Sequence, residues 1–327
     1  MNSLFRKVIS LLMCFVCGLC IFAGCASAPA ETTAPTESAP PAHMLDGKKF
    51  IIIGNSHTYV GKTVIDVVKT VRDQESRQNN KGLFYYICQA AGAEVSVTNW
   101  CFSGHGLRHL FAAPCTISYC DGERHEDYLI DRSFDYVVIT PGVGTEAEEK
   151  IAQDMDYIVK LFRDANPDVK FVLLGNASVY GQNKTDTTYP GITGYYKTLE
   201  DQGFIIADWG GLVNDIINGT CTVPGSTETY NKNSFIINDG YHPNTLSGFI
   251  TSTMLYCAIT GEPAVEQTRT LFTENKLWKM ILEQTLPSQY TYPDSETNHQ
   301  KILASETELK GIQELIDRYL QEKPYRK

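Results

Sequence analysis

Basic residues are scarce in this chain, and repeats are absent. Its 327 residues hold 28 Lys and Arg against 38 Asp and Glu, a formal net charge of −10. An acidic chain repels phosphate backbones, and no basic stripe runs along any segment, so nucleic acid is not an expected partner. The lack of an internal repeat excludes solenoids and propellers. Beyond residue 25 there is no CxxC pair, which argues against a zinc ribbon, and there is no HExxH motif for a zinc protease. The longest apolar stretch, Val8 to Phe22, falls short of the roughly 20 residues that a membrane-spanning helix needs.

That stretch follows Arg6 and Lys7 and ends in small residues and Cys25, the layout of a secretory signal peptide. The ending "FAGC" resembles a bacterial lipobox, with Phe22 where leucine is more usual, and implies lipidation at Cys25. Next comes "ASAPAETTAPTESAPPAH" (26–43), which has no large apolar side chain to offset its ordering entropy. It reads as a tether, about 25 Å long as a coil and up to roughly 60 Å when stretched. The expected organisation is a signal peptide over 1–24, a disordered tether over 25–45 and a domain over 46–327 that includes C-terminal helices. The chain is thus expected to be exported and held at the cell surface by a lipid anchor. Without Arg6 and Lys7 the formal charge falls to −12.

Six cysteines follow Cys25: Cys88, Cys101, Cys115, Cys120, Cys221 and Cys257. Export permits disulfides. Cys101, Cys115 and Cys120 share a loop-rich region as candidates for pairing, while Cys88 and Cys257 read as buried helical thiols.

Short apolar runs alternate with helical patterns. "KKFIIIG" (48–54), "AEVSVTNW" (93–100), "FDYVVIT" (134–140), "VKFVLLG" (169–175) and "GFIIADW" (203–209) suit central parallel strands. Helices are expected over 82–92, 146–166, 195–203 and 244–261, with Gly92, Gly203 and Gly261 as stops and Asn244 or Thr245 as a cap. Further helices are expected in "LFTENKLWKMILEQTL" and "ETELKGIQELIDRYLQ". The alternation predicts an α/β fold with a doubly wound, mostly parallel five-stranded sheet flanked by helices. Ligands in such sheets bind beyond the carboxyl ends of the strands.

That rule brings two distant segments to one edge. "FIIIGNSHT" leaves the first strand at Gly54-Asn55-Ser56, and "NDGYHPN" carries Asp239 and His242 just ahead of a late helix. A serine hydroxyl needs a base within hydrogen-bond reach, and the base needs an orienting acceptor. Ser56 as nucleophile, His242 as base and Asp239 behind the ring meet those needs. Taken singly, Ser56 reads as a turn or cap residue, His242 as a packing residue and Asp239 as an Asx-turn former.

"GNSHT" after the first strand and "DGYHPN" near the end resemble the SGNH (GDSL-type) hydrolase family, across roughly residues 48–261. The resemblance implies an ester hydrolase without a cofactor or metal. It also implies an oxyanion hole built from the Ser56 amide, the Gly104 amide in "CFSGHG" and an asparagine side chain after the third strand. The chain departs from that pattern: "TPGVGTE" places Gly144 at the asparagine position. Asn176 in "LLGNAS", Thr145 or a backbone amide of the glycine-rich loop are the candidate replacements. An acylated carbohydrate or another small ester is the implied substrate. The alternative is a lipid-anchored binding protein on the same fold with its chemistry lost.

A metal reading competes. His105 and His109 are four apart, a spacing that puts both on one face of a helix, and His57 approaches the same edge. Gly106 weakens that helix, so no metal is assigned, and Arg108 or His109 reads instead as a pocket-entrance or surface residue. Asp135 is expected to be structural and Asp208 to be a turn or cap residue. "GQNKTDTTYPGITGYY" (181–196) reads as a substrate-facing loop or as a solvent loop with packed tyrosines.

Overall fold

Five apolar runs become five strands, because β-branched and aromatic residues suit a pleated surface covered on both faces. The computed structural model describes residues 42–59, 64–65, 77–102, 106–111, 124–141, 148–175, 190–236, 242–264 and 306–326. The strands are β1 (Lys49–Gly54), β2 (Ser96–Cys101), β3 (Tyr136–Ile139), β4 (Lys170–Leu174) and β5 (Ile205–Ala207). They pair in the order β2-β1-β3-β4-β5, each neighbour parallel. The helices are α1 (Ser56–Tyr59), α2 (Leu83–Ala90), α3 (Leu107–Leu110), α4 (Glu148–Ala165), α5 (Pro190–Asp201), α6 (Trp209–Ile217), α7 (Thr245–Thr260) and α8 (Glu306–Glu322). This is the doubly wound α/β sheet that the alternation predicts.

The two-residue period of the strands feeds two cores. Phe50, Ile52, Tyr136, Val138, Val172 and Leu174 meet α2, α6, α7 and α8 on one face. Ile51, Ile53, Val137, Ile139, Phe171 and Leu173 meet α3, α4 and α5 on the other. Burying a side chain of this kind stabilises by about 1.5–3 kcal/mol. β2 lies at the edge, where free carbonyls invite unwanted strand pairing. Its outward carbonyls are covered: Asn80 N donates to Val97 O (2.8 Å), and the Arg77 guanidinium donates through Nη1 to Asn99 O (2.9 Å).

α7 is buried almost all the way round. Asn244 caps it, accepting from Ser247 N at 3.1 Å, and Gly261 ends it in the left-handed region. Gly92 and Gly203, the other expected stops, also take positive φ. Near the far end of α7, His43 is bound. Its Nδ1 accepts from Leu45 N (3.1 Å), and its Nε2 lies 2.8 Å from Tyr256 Oη and 3.0 Å from Glu262 Oε1. Leu45 is fully buried. The chain therefore joins the fold by residue 43, ahead of the boundary at 46.

Several local expectations change. α5 starts at Pro190, so it takes in the last residues of the loop read over 181–196, and Tyr196 is buried in the core. Proline suits a first helical turn because its missing N–H has no partner there anyway. Cys88 and Cys257 are buried free thiols as expected, but Cys101 is also a buried free thiol. It ends β2 rather than lying in a loop, and its Sγ donates to Ile52 O at 3.4 Å. The helix expected over "LFTENKLWKMILEQTL" lies outside the described residues, as do Cys25, Cys115 and Cys120. Among the described residues no helix is long and apolar enough to cross a membrane.

α6 is the helix that the sequence reading lacks. Gly211 within it is required by space: a Cβ there would sit 2.0 Å from Tyr319 Oη and 2.3 Å from Asp208 Oδ2. Asp208 caps α6, accepting from Gly211 N (3.1 Å) through Oδ1 and from Tyr319 Oη (2.8 Å) through Oδ2. Burial raises its carboxyl to about 6, with the Tyr319 and Gly211 hydrogen bonds opposing the rise and nearby Asp215 adding to it. The native state therefore holds this proton between about pH 4 and 6, where the unfolded chain has released it. Stability from this group is greatest at low pH and declines as pH rises through that window. Two pH units at about 1.4 kcal/mol each give an effect on the order of 3 kcal/mol. Asp208→Asn keeps a capping oxygen and cannot ionise. Urea unfolding from pH 4 to 7 is expected to show the wild type losing stability relative to this variant; parallel curves would refute a buried, proton-holding carboxyl.

Candidate active site

The order β2-β1-β3 makes the junction of β1 and β3 the point where the chain's direction of travel across the sheet reverses, and crevices open at the carboxyl ends there. Ser56 leaves β1 at this junction as the first residue of α1. Asn55 shapes the turn, its Oδ1 accepting from His57 N at 3.0 Å. Thr58 Oγ1 donates to Thr140 Oγ1 at 3.2 Å, tying α1 to the residue after β3. Phe102 N donates to Gly54 O at 3.1 Å, tying the exit of β2 to that of β1. Ser56, only 8 % exposed, is thus held from both flanking strands.

His242 comes from the other end of the chain. Pro243 keeps the residue before it out of the helical region and forms an antiparallel bridge with Ile236. Asn244 fixes the next position, with N donating to Phe235 O (3.0 Å) and Nδ2 to Ser234 O (2.8 Å). Phe235 is fully buried, so this anchor is part of the core. His242 Nε2 then lies 2.8 Å from Ser56 Oγ, across 186 residues of sequence. When Ser56 donates, the neutral ring carries its proton on Nδ1, the atom an orienting carboxylate would meet. The ring of His57 lies against that of His242, with centroids 5.1 Å apart.

The structure therefore brings together two of the three expected catalytic residues. Asp239 lies outside the described residues, as do Gly104, Gly142, Gly144, Thr145, Asn176 and His105. Arg108 Nε donates to the buried Asp154 Oδ1 at 3.1 Å. Among the described residues no group of three or more His, Cys, Asp or Glu side chains is placed to hold a metal ion. Asp135 binds Lys49 N (2.9 Å) and Lys48 Nζ (3.2 Å) at the opposite sheet edge, a structural role. Cys101, the nearest thiol on β2, is no rival nucleophile. Burial pushes its thiol far up, against smaller opposing effects of the Thr58 hydrogen bond and the Arg77 charge, and a neutral thiol is unreactive.

Three supporting residues escape sequence reasoning: Gly54, Thr140 and Arg77. The first two act through cross-strand register, which no local pattern reports. Arg77 had a weak signal, a lone arginine just before the "QNN" turn that precedes an apolar helix.

No family profile and no curated protein matches this chain. Solved structures of similar fold include a variant of an acetyl-xylooligosaccharide esterase from Geobacillus Stearmophilus, 15% identical with a TM-score of 0.47, covering 66% of this chain and 96% of that one. A protein provisionally described as a GDSL-like lipase from Parabacteroides merdae is 17% identical with a TM-score of 0.46, covering 68% and 99%. A carbohydrate esterase family 2 enzyme with a carbohydrate-binding domain, from Corynascus thermopiles, is 19% identical with a TM-score of 0.37, covering 68% of each chain.

Gly54 offers a direct check on the site's packing. A Cβ there would sit 2.6 Å from Thr58 Oγ1 and 3.0 Å from Thr140 Cβ. Threonine is stiff at χ1, so neither neighbour yields freely. Gly54→Ala is expected to destabilise by about 1–3 kcal/mol in urea unfolding. Adding Thr58→Ala, which removes the contacting oxygen, is expected to recover part of that loss. An unchanged urea midpoint in Gly54→Ala would show that α1 does not sit this close to β1 and β3.

Proposed function

We propose that this chain is a serine ester hydrolase of the SGNH type. The observation that carries the reading is the 2.8 Å approach of His242 Nε2 to Ser56 Oγ at the carboxyl edge of the sheet. Ser56 Oγ attacks the ester carbonyl carbon while its proton passes to His242 Nε2. The tetrahedral intermediate collapses, the C–O bond to the alcohol breaks, and the alcohol leaves with that proton. Water, deprotonated by the same imidazole, then cleaves the acyl-enzyme and restores Ser56. In this reading Asp239 orients the ring and stabilises its charged form.

In this reading the oxyanion donors are the backbone N–H groups of Ser56 and Gly104, as the resemblance implies. Gly144 supplies no side-chain donor, and loss of one donor lowers rates by about 100- to 1000-fold unless Asn176 or another group replaces it. This glycine favours the second reading, a binding module without turnover. The ester we assign is an O-acyl group, such as acetyl, on a carbohydrate, the choice that an acidic, surface-tethered domain favours. We further infer export and lipidation at Cys25.

A serine-directed fluorophosphonate separates the readings. The folded protein is expected to label at Ser56. Ser56→Ala is expected to abolish the adduct and His242→Ala to slow it by at least about 1000-fold, measured by intact mass. A folded wild type that takes no label would leave the binding module as the better reading. Ester turnover that survives in Ser56→Ala and disappears on chelation would instead point to metal chemistry. Lipidation is checked separately: in a bacterial host the full chain is expected in the membrane fraction, and Cys25→Ser is expected to move it out. Equal fractionation of the two would remove the anchor.

A further inference from the structure

Resting on the reading of Ser56 as nucleophile, we propose that Arg77 is a positioning residue for the site, clamping the exit of β2 against the turn that carries Ser56. Arg77 is fully buried. Its Nη1 donates to Asn99 O (2.9 Å), and its guanidinium carbon lies 4.1 Å from the ring centroid of Phe102 and 5.3 Å from that of Trp100. One side chain thus meets Asn99 and Trp100 near the end of β2 and Phe102 just beyond it.

Edge protection alone does not explain an arginine here. Two residues earlier on the same strand, a plain backbone amide, Asn80 N, covers Val97 O. Burying a guanidinium carries a desolvation cost of several kcal/mol, which a neutral donor avoids. The additional property of the guanidinium is its plane, which stacks on an aromatic ring while its fork donates along the strand edge. The ring it stacks on matters. Phe102 is the first residue beyond β2, and the ring of His125 lies against it at 4.3 Å. The Phe102 amide donates to Gly54 O, two residues before Ser56. From Arg77 the path to the nucleophile runs through Phe102 and Gly54, a stacked ring and one backbone hydrogen bond.

A nucleophile misplaced by about 1 Å loses on the order of 100-fold in rate with little change in binding. The test uses the folded domain with Arg77→Lys, which keeps charge but loses the planar fork, and Arg77→Met, which keeps length and apolar bulk. Phe102→Leu, which removes the stacking surface while leaving Arg77, is the third variant. Each is measured for the rate constant of Ser56 phosphonylation, for kcat and KM on p-nitrophenyl acetate, and for its urea midpoint. All three are expected to lose about 10- to 100-fold in labelling rate and kcat, with KM within about twofold, under conditions where urea curves show them folded. Guanidinium ion at low millimolar concentration is expected to restore part of the rate in Arg77→Ala. Should Arg77→Met fail to fold, Phe102→Leu and Arg77→Lys decide. Variants that lose stability yet label at the wild-type rate would reduce Arg77 to an edge cap and overturn the proposal. A wild type that neither labels nor turns over ester would overturn the hydrolase reading itself, and the role of Arg77 with it.

Discussion

The edge that carries Ser56 and His242 depends on how closely α1 can lie over β1 and β3. A strand ending in anything larger than glycine would hold Thr58 away from Thr140, and Ser56 is carried on the same turn. Close packing of two threonine side chains against the strand end at Gly54 is the constraint, and Ser56 is held beside it. The other partner of that contact is fixed just as firmly. His242 precedes a proline and an asparagine that are bonded to a buried segment, and these open into a helix enclosed by core. Neither side chain sits on an independent loop tip. Their distance is set by the packing of a sheet and a helix, which change little under thermal motion.

Two of the polar clusters among the described residues lie apart. Around Ser56 the polar groups are aimed at one another: Thr58 at Thr140, Asn55 at the backbone of His57. At the carboxyl end of β5, three strand spacings away, Asp208 and Tyr319 join the cap of α6 to α8. That second cluster stabilises the C-terminal helix through a buried hydrogen bond whose proton inventory changes with pH. The two clusters share an edge of the sheet but no described hydrogen bond. The acid dependence of stability at Asp208 therefore arises apart from the Ser56–His242 contact.

Much of the architecture was legible in the chain because strands buried on both faces read as short β-branched runs, as in "FIII" and "YVVI". The helices that were legible had a helical apolar pattern, and several of them a glycine stop. α6 was not, since its glycines serve a close contact with Tyr319 on α8, a partner more than a hundred residues away. Pro190 was taken for loop chemistry although a first helical turn tolerates it. Of the site, Ser56 and His242 were legible because their neighbours, a strand end and an Xaa-Pro step, constrain them locally. Arg77, Thr140 and Gly54 acquire their roles only when register places Gly54 beside Cys101 and Ile53 beside Ile139. Register is a property of two segments, and single-segment patterns do not report it.

The clasp of His43 on Tyr256 and Glu262 carries a practical consequence. α7 is 16 residues long, so about 24 Å of helix separates this clasp from the residue that caps the helix beside the imidazole. Anything attached ahead of residue 42, whether an affinity tag, a bead or a carrier protein, is joined to the domain at the pole opposite the nucleophile. Immobilising the domain by that end leaves the edge that carries Ser56 and His242 directed into the surrounding solution, away from the support.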